Sequence, residues 1–253
     1  MIFTATVSWV TAVLLCSMRL SALLLMTPLW QALGLPVRIR VILIAMLAFS
    51  LVSGMQLVPA HVPTDLFGLV MSGLGEVVLG ALMAFGIFVA FAAFSLAGNL
   101  LDLQIGFNIA NIFDPTTRSH SPLIAALFGM VALALFFTMD VHHTLLRGLA
   151  FSFEKIPLGQ MLELPQPMLL ARQFGTVFSY GLMLAAPAFF CLFLVEICLA
   201  VVSRNLPQLN IFMLSVPIKI VVGLSVLAYF SGHFASVATK VFGAMFGYWE
   251  DIL

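Results

Sequence analysis

From Val41 to Ala60 the chain carries no charged side chain, and five further windows are almost as apolar. They run from Thr6 to Trp30, Leu66 to Leu101, Pro122 to Met139, Phe174 to Val202 and Ile220 to Tyr248. A helix that crosses a bilayer needs about 20 mostly apolar residues and must satisfy its backbone internally, because no water is present to do so. Windows of this length predict an all-α, multi-helix membrane protein with about six long helices. The composition agrees, with 63% hydrophobic and 8% charged residues, against roughly 25% charge in a soluble domain. With no charged linker between blocks, the 253 residues read as a single unit.

The window from Leu66 to Leu101 is too long for one straight span. It is expected to tilt, to break near Gly73, Gly75 and Gly80, or to extend beyond the bilayer. The region from Asp140 to Arg172, with both charge signs and Pro157, Pro165 and Pro167, reads as the longest polar excursion. Prolines at 207 and 217 predict that any helix over 203–219 is broken or begins afresh. Ala93 and Ala97, Ala125 and Gly129, and Gly243 and Gly247 have the small-xxx-small spacing that allows close helix approach.

Net charge is zero and no basic cluster occurs, which argues against nucleic-acid binding. Cys16, Cys191 and Cys198 lie in apolar runs without CxxC spacing and read as packing residues. The N-terminus lacks a positive region before its first apolar run and is expected to be a retained helix. Loop charges favour one orientation only slightly.

Arg19, Glu76 and Glu196 interrupt apolar windows, at a cost of about 3 kcal/mol each on insertion scales. They stand far apart in sequence, so interhelical or inter-subunit pairing is expected in preference to a proton relay. The competing class is a secondary transporter using these three charges as ligands, but two corresponding broken helices are not evident. No G-x-S-x-G, HExxH, P-loop or dinucleotide fingerprint occurs, and Asp65, Asp102, Asp114 and Asp140 fall near expected helix ends. No catalytic residue and no cofactor is therefore expected. His142 and His143 are adjacent, and neighbouring positions of a regular helix point about 100° apart, so they are not expected to share a metal ion.

One polar stretch, "GFNIANIFDPTTRSHSP" (106–122), sits between two apolar windows. Together with "MRLSALLLMTPLWQALGLPVRIR" (18–40), "AGNLLDLQIGFNIANIFDP" (97–115), "DVHHTLLRGLAFSFEKIPLG" (140–159) and "NLPQLNIFMLSVPIKI" (205–220), it resembles the FliR/SctT family of type III secretion export-gate proteins, and its flagellar members in particular. The resemblance spans essentially the whole chain. It implies a non-enzymatic inner-membrane subunit of the flagellar basal body, packed in a helical hetero-oligomer with FliP-type and FliQ-type subunits and beside a FlhB-type subunit. Unfolded exported proteins would pass through it. The resemblance implies a P-like part over 1–173 and a Q-like hairpin over 174–253.

It also implies a pore plug at Gly106, Phe107, Asn108, Ile109, Ala110, Asn111, Ile112, Phe113, Asp114 and Pro115, within the loop 106–122. Phe107, Ile109, Ile112 and Phe113 would be the apolar stopper, and the Asn and Asp side chains would satisfy local backbone. Pro207, Gln208, Asn210, Pro217 and Lys219 would form a polar tip at the cytoplasmic entrance, in contact with Q-type subunits. An injectisome member of the same family is the alternative.

Overall fold

The computed structural model of the chain describes residues 2–28, 34–63, 65–107, 122–160, 165–206, 208 and 211–253. Among them are eight α-helices. They are α1 (Ile2–Leu25), α2 (Val37–Met55), α3 (Leu66–Ile105), α4 (Leu123–Thr138), α5 (Val141–Lys155), α6 (Pro167–Asn205), α7 (Ile211–Tyr229) and α8 (Ser231–Ile252). Four helical stretches, Val7–Leu25, Val37–Met55, Leu66–Ile105 and Pro167–Asn205, are long and apolar enough to cross a membrane. The number rises to six if α4 with α5 and α7 with α8 each count as one bent span.

The expected six long helices are thus four long ones and two bent pairs. The window from Leu66 to Leu101 lies within one helix, Leu66–Ile105, of 40 residues, unbroken at its glycines. At 1.5 Å per residue it is about 60 Å long, twice the hydrocarbon core. The expected polar excursion after Asp140 contains α5, whose inward residues Val141, Leu145, Leu149 and Phe153 recur every fourth position. Its charges lie on the other face. A helix does begin afresh after the 206–210 connection, and α7 carries Pro217 in its first half. The expected C-terminal helix divides at Phe230 into α7 and α8.

Helix ends follow local chemistry. Pro36 supplies the fixed extended geometry before α2, and Gln56 closes α2 in the left-handed region with its N–H on Val52 O. Gly106, at φ +92°, ends α3 and donates its N–H to Asp102 O. α6 tolerates Pro187 internally, where one backbone bond is lost.

The helices form two compact units. The first comprises Met1–Val89, Phe136–Gln173 and Ala244–Leu253, and the second Ala90–Leu135 and Phe174–Gly243. In the first, α1 buries Ala12, Leu15, Cys16, Arg19, Leu20 and Leu23 completely, one stripe at helical spacing with a charge in its middle. α2 packs on α1, with Trp9 edge-on to Phe49 at 5.4 Å. The end of α8 is fixed by Trp249, whose indole N–H donates to Met83 O at 2.9 Å, and by Tyr248, whose hydroxyl donates to Leu82 O. Gly86 and Gly148 leave the space that these two rings fill.

In the second unit, Gly98 lies directly against the Ala125 backbone, and Gly181 against Ala93 O and Leu96. Ala93 and Ala97 are buried, as their spacing suggests, whereas a Cβ at Gly129, Gly243 or Gly247 would meet open space.

Candidate functional site

Pro122, which immediately precedes Leu123 at the start of α4, has no side chain able to cap the helix. The first N–H groups of α4 are met instead by Asp102, near the end of α3. The carboxylate is fully buried and accepts from Ile124 N at 3.0 Å and Ala125 N at 2.9 Å. An anion at a helix N-terminus satisfies orphan donors and complements the helix dipole. The pair of bonds ties together the two ends of the polar stretch 106–122. Of the expected plug, Gly106 and Phe107 are described and half-buried, and the N–H of Phe107 also donates to Asp102 O. Asn108, Ile109, Ala110, Asn111, Ile112, Phe113, Asp114 and Pro115 lie outside the described residues.

The two charges of the first unit converge. Arg19 Nε donates to Glu76 Oε2 at 2.6 Å, Nη1 to the carbonyl and hydroxyl oxygens of Ser152, and Nη2 to Ile156 O. The ring of Phe153 lies 4.4 Å from the guanidinium carbon. Glu76 uses its other oxygen to accept from Gly159 N at 2.8 Å, on a turn whose glycine has φ +76°. Arg19 is fully buried and Glu76 is 3% exposed, so the network joins α1, α3, α5 and the 156–159 turn. Among the described residues both side chains are thus engaged in pairing between helices, as their apolar surroundings suggest.

In the second unit Glu196 is half-exposed on α6, accepting from Lys219 Nζ at 2.6 Å and from Gln104 Nε2 at 3.2 Å. Gln208 and Pro217 are exposed, while Pro207 and Asn210 lie outside the described residues.

The histidine pair departs from expectation. Asp140 is left-handed, at φ 56°, and its carboxylate turns back to His143 Nδ1 at 3.3 Å. The two imidazole centroids are 4.1 Å apart, and one potential ligand atom from each of Asp140, His142 and His143 falls within 4.8 Å of the others. The divergence expected of neighbouring side chains holds in the middle of a regular helix. Here the helix begins only at Val141, and the rings fold toward each other at its first turn.

Sequence reasoning placed Asp102 near a helix end without its partners, and missed Tyr248 and Trp249. Asp102 and the donors it meets are 22 and 23 residues apart, so no local motif joins them. The C-terminal aromatics had only their size as a signal.

These features define an all-helical membrane protein with paired interior charges and a polar interruption at 106–122 that is tied at its base. Residues 10–245 match the family model for bacterial export proteins, family 1. The chain is 30% identical to the flagellar biosynthetic protein FliR of Bacillus subtilis (strain 168), over 85% of this chain and 84% of that one. It is 29% identical to FliR of Escherichia coli (strain K12), over 97% and 94% of the two chains. It is also 30% identical to the secretion system apparatus protein SsaT of Salmonella typhimurium, over 60% of each. The chain belongs to the bacterial export proteins, family 1, the family of the FliR proteins.

Proposed function

We propose that this chain is a core channel subunit of the flagellar type III protein-export gate, and that its 106–122 stretch plugs the pore through which unfolded substrates leave the cytoplasm. The observation that carries the plug is the Asp102 tie: a carboxylate buried at the base holds both ends of a polar stretch together. Between those ends, Phe107, Ile109, Ile112 and Phe113 are interspersed with turn-forming Asn, Asp and Pro. Apolar side chains at a constriction exclude water and ions by dewetting. An arriving unfolded segment displaces them.

FliP-type and FliQ-type subunits surround the chain in this reading, with a FlhB-type subunit beside them, in the inner membrane at the flagellar basal body. Residues 1–173 act as the P-like part and 174–253 as the Q-like hairpin. Pro207, Gln208, Asn210, Pro217 and Lys219 contribute to subunit contacts at the cytoplasmic entrance. Exposed apolar side chains on α6, among them Phe178, Leu182, Phe190 and Ile197, give such neighbours a surface to cover. The similarity to SsaT favours one alternative, a secretion-system gate of the same build exporting other substrates.

The test is ion leakage through the assembled gate in membrane vesicles. Replacing Ile109, Ile112 and Phe113 by Gly should raise resting leakage while leaving the amount of assembled complex unchanged. Unaltered leakage at equal assembly would remove the plug from the function.

A further inference from the structure

Outside the residues assigned to the pore and to subunit contacts, the turn from α4 into α5 gathers three metal-ligating side chains. We propose that Asp140, His142 and His143 form a binding site for a divalent transition-metal ion, of the class that prefers imidazole nitrogen and carboxylate oxygen. Three observations carry it. The first is geometric: one donor atom from each residue lies within 4.8 Å of the other two, and side-chain rotation must draw them to the roughly 3–4 Å separations of donors about 2 Å from one shared ion.

The second is an unmet polar atom. His142 Nδ1 is shielded from solvent and has no hydrogen-bond partner among the described residues. A shielded polar atom without a partner is costly, and a cation held at this nitrogen, should it be the His142 donor of the cluster, would remove that cost. Phe136 and Phe137 pack on the same ring, at 6.4 and 5.3 Å between centroids, and hold it in place. The third is the rotamer freedom of the other two ligands: Asp140 and His143 side chains are 75% and 63% exposed. Their torsions can therefore turn both donors toward His142 without disturbing a core. The ring planes of the two histidines are 37° apart with centroids 4.1 Å apart, and the His143 ring is the exposed one of the two.

The left-handed backbone of Asp140 is what permits the cluster, since it sets the carboxylate beside the first turn of α5. A charged carboxylate also offsets the unfavourable positive end of the helix dipole beneath a cation. Two imidazoles and one carboxylate suit Zn2+, Ni2+ or Cu2+ far better than Mg2+ or Ca2+, which take all-oxygen shells. Further coordination positions stay open to water.

The experiment uses the full chain in detergent, together with whatever subunits copurify, isolated through a tag without histidine and stripped with chelator. Zn2+ is titrated by calorimetry, and Cu2+ is followed by electron paramagnetic resonance. The expected result is one ion per copy of this chain, with nitrogen splitting from two imidazoles. His143→Asn and Asp140→Asn act on exposed side chains and should leave the recovered yield unchanged while weakening this binding at least about tenfold. His142→Asn together with His143→Asn should abolish the nitrogen splitting. If wild-type and variant preparations of equal yield titrate identically, the cluster is an exposed Asp–His pair beside a packed histidine only, and the site is overturned.

Discussion

Arg19 enters the first unit as a full charge and meets four oxygen acceptors and one ring face there. Replacing only one partner of such a pair leaves the other buried and uncompensated, typically costing about 3–5 kcal/mol. Glu76→Leu should therefore lower the unfolding temperature and membrane abundance of the chain sharply. Adding Arg19→Leu to it should recover much of the loss, since a paired removal leaves no orphan charge. Thermal unfolding in detergent checks both, and an unaltered midpoint for Glu76→Leu would contradict the network. Asp102→Ala should cost about 1.5–3 kcal/mol per lost charge-assisted bond, with Asp102→Asn intermediate because one acceptor survives. The same melting series reads this. That Arg19, Glu76 and Glu196 pair with something was legible in the sequence from their apolar surroundings. Which partner each takes was not, because Arg19 and Glu76 are 57 residues apart and a spacing of that size carries no register.

Among the helices, glycine has two different meanings. At Gly73 and Gly80 an added Cβ would meet Met18 Sδ at 2.6 Å and Ala22 Cβ at 2.8 Å, so these glycines let α1 approach α3 instead of breaking it. This is why the helix runs unbroken where its glycines suggested an interruption. Gly98 sits equally close to the Ala125 backbone, which cannot step aside as a flexible side chain could. Gly98→Ala should destabilise the chain, while Gly129→Ala, facing open space, should be neutral or gain up to about 1 kcal/mol from helix propensity. Parallel melts of the two variants decide it, and equal effects would contradict the close crossing. Helix α5 was hidden in the sequence for a related reason. Its charge content suggested a polar excursion, yet its fourfold apolar recurrence was available and marks a buried face.

For the molecule as a whole, the class was open to view in the sequence because hydropathy over 20-residue windows reports directly on membrane compatibility. The number of spans was not, since window hydropathy is blind to a bend such as the 64° between α7 and α8, which meet at Phe230. Much apolar surface stays uncovered in the isolated chain, including Phe189, Phe190, Phe193, Leu194 and Ile197 on α6. Lipid can cover some of it, and a gate subunit would cover more with its neighbours. The most direct measurement is coexpression with FliP-type and FliQ-type subunits, purification through a tag on this chain, and native mass spectrometry of the proteins that copurify. A gate subunit should appear in one discrete complex containing both partners in fixed ratio. A stable preparation of this chain alone, with neither partner bound, would contradict its place in the gate.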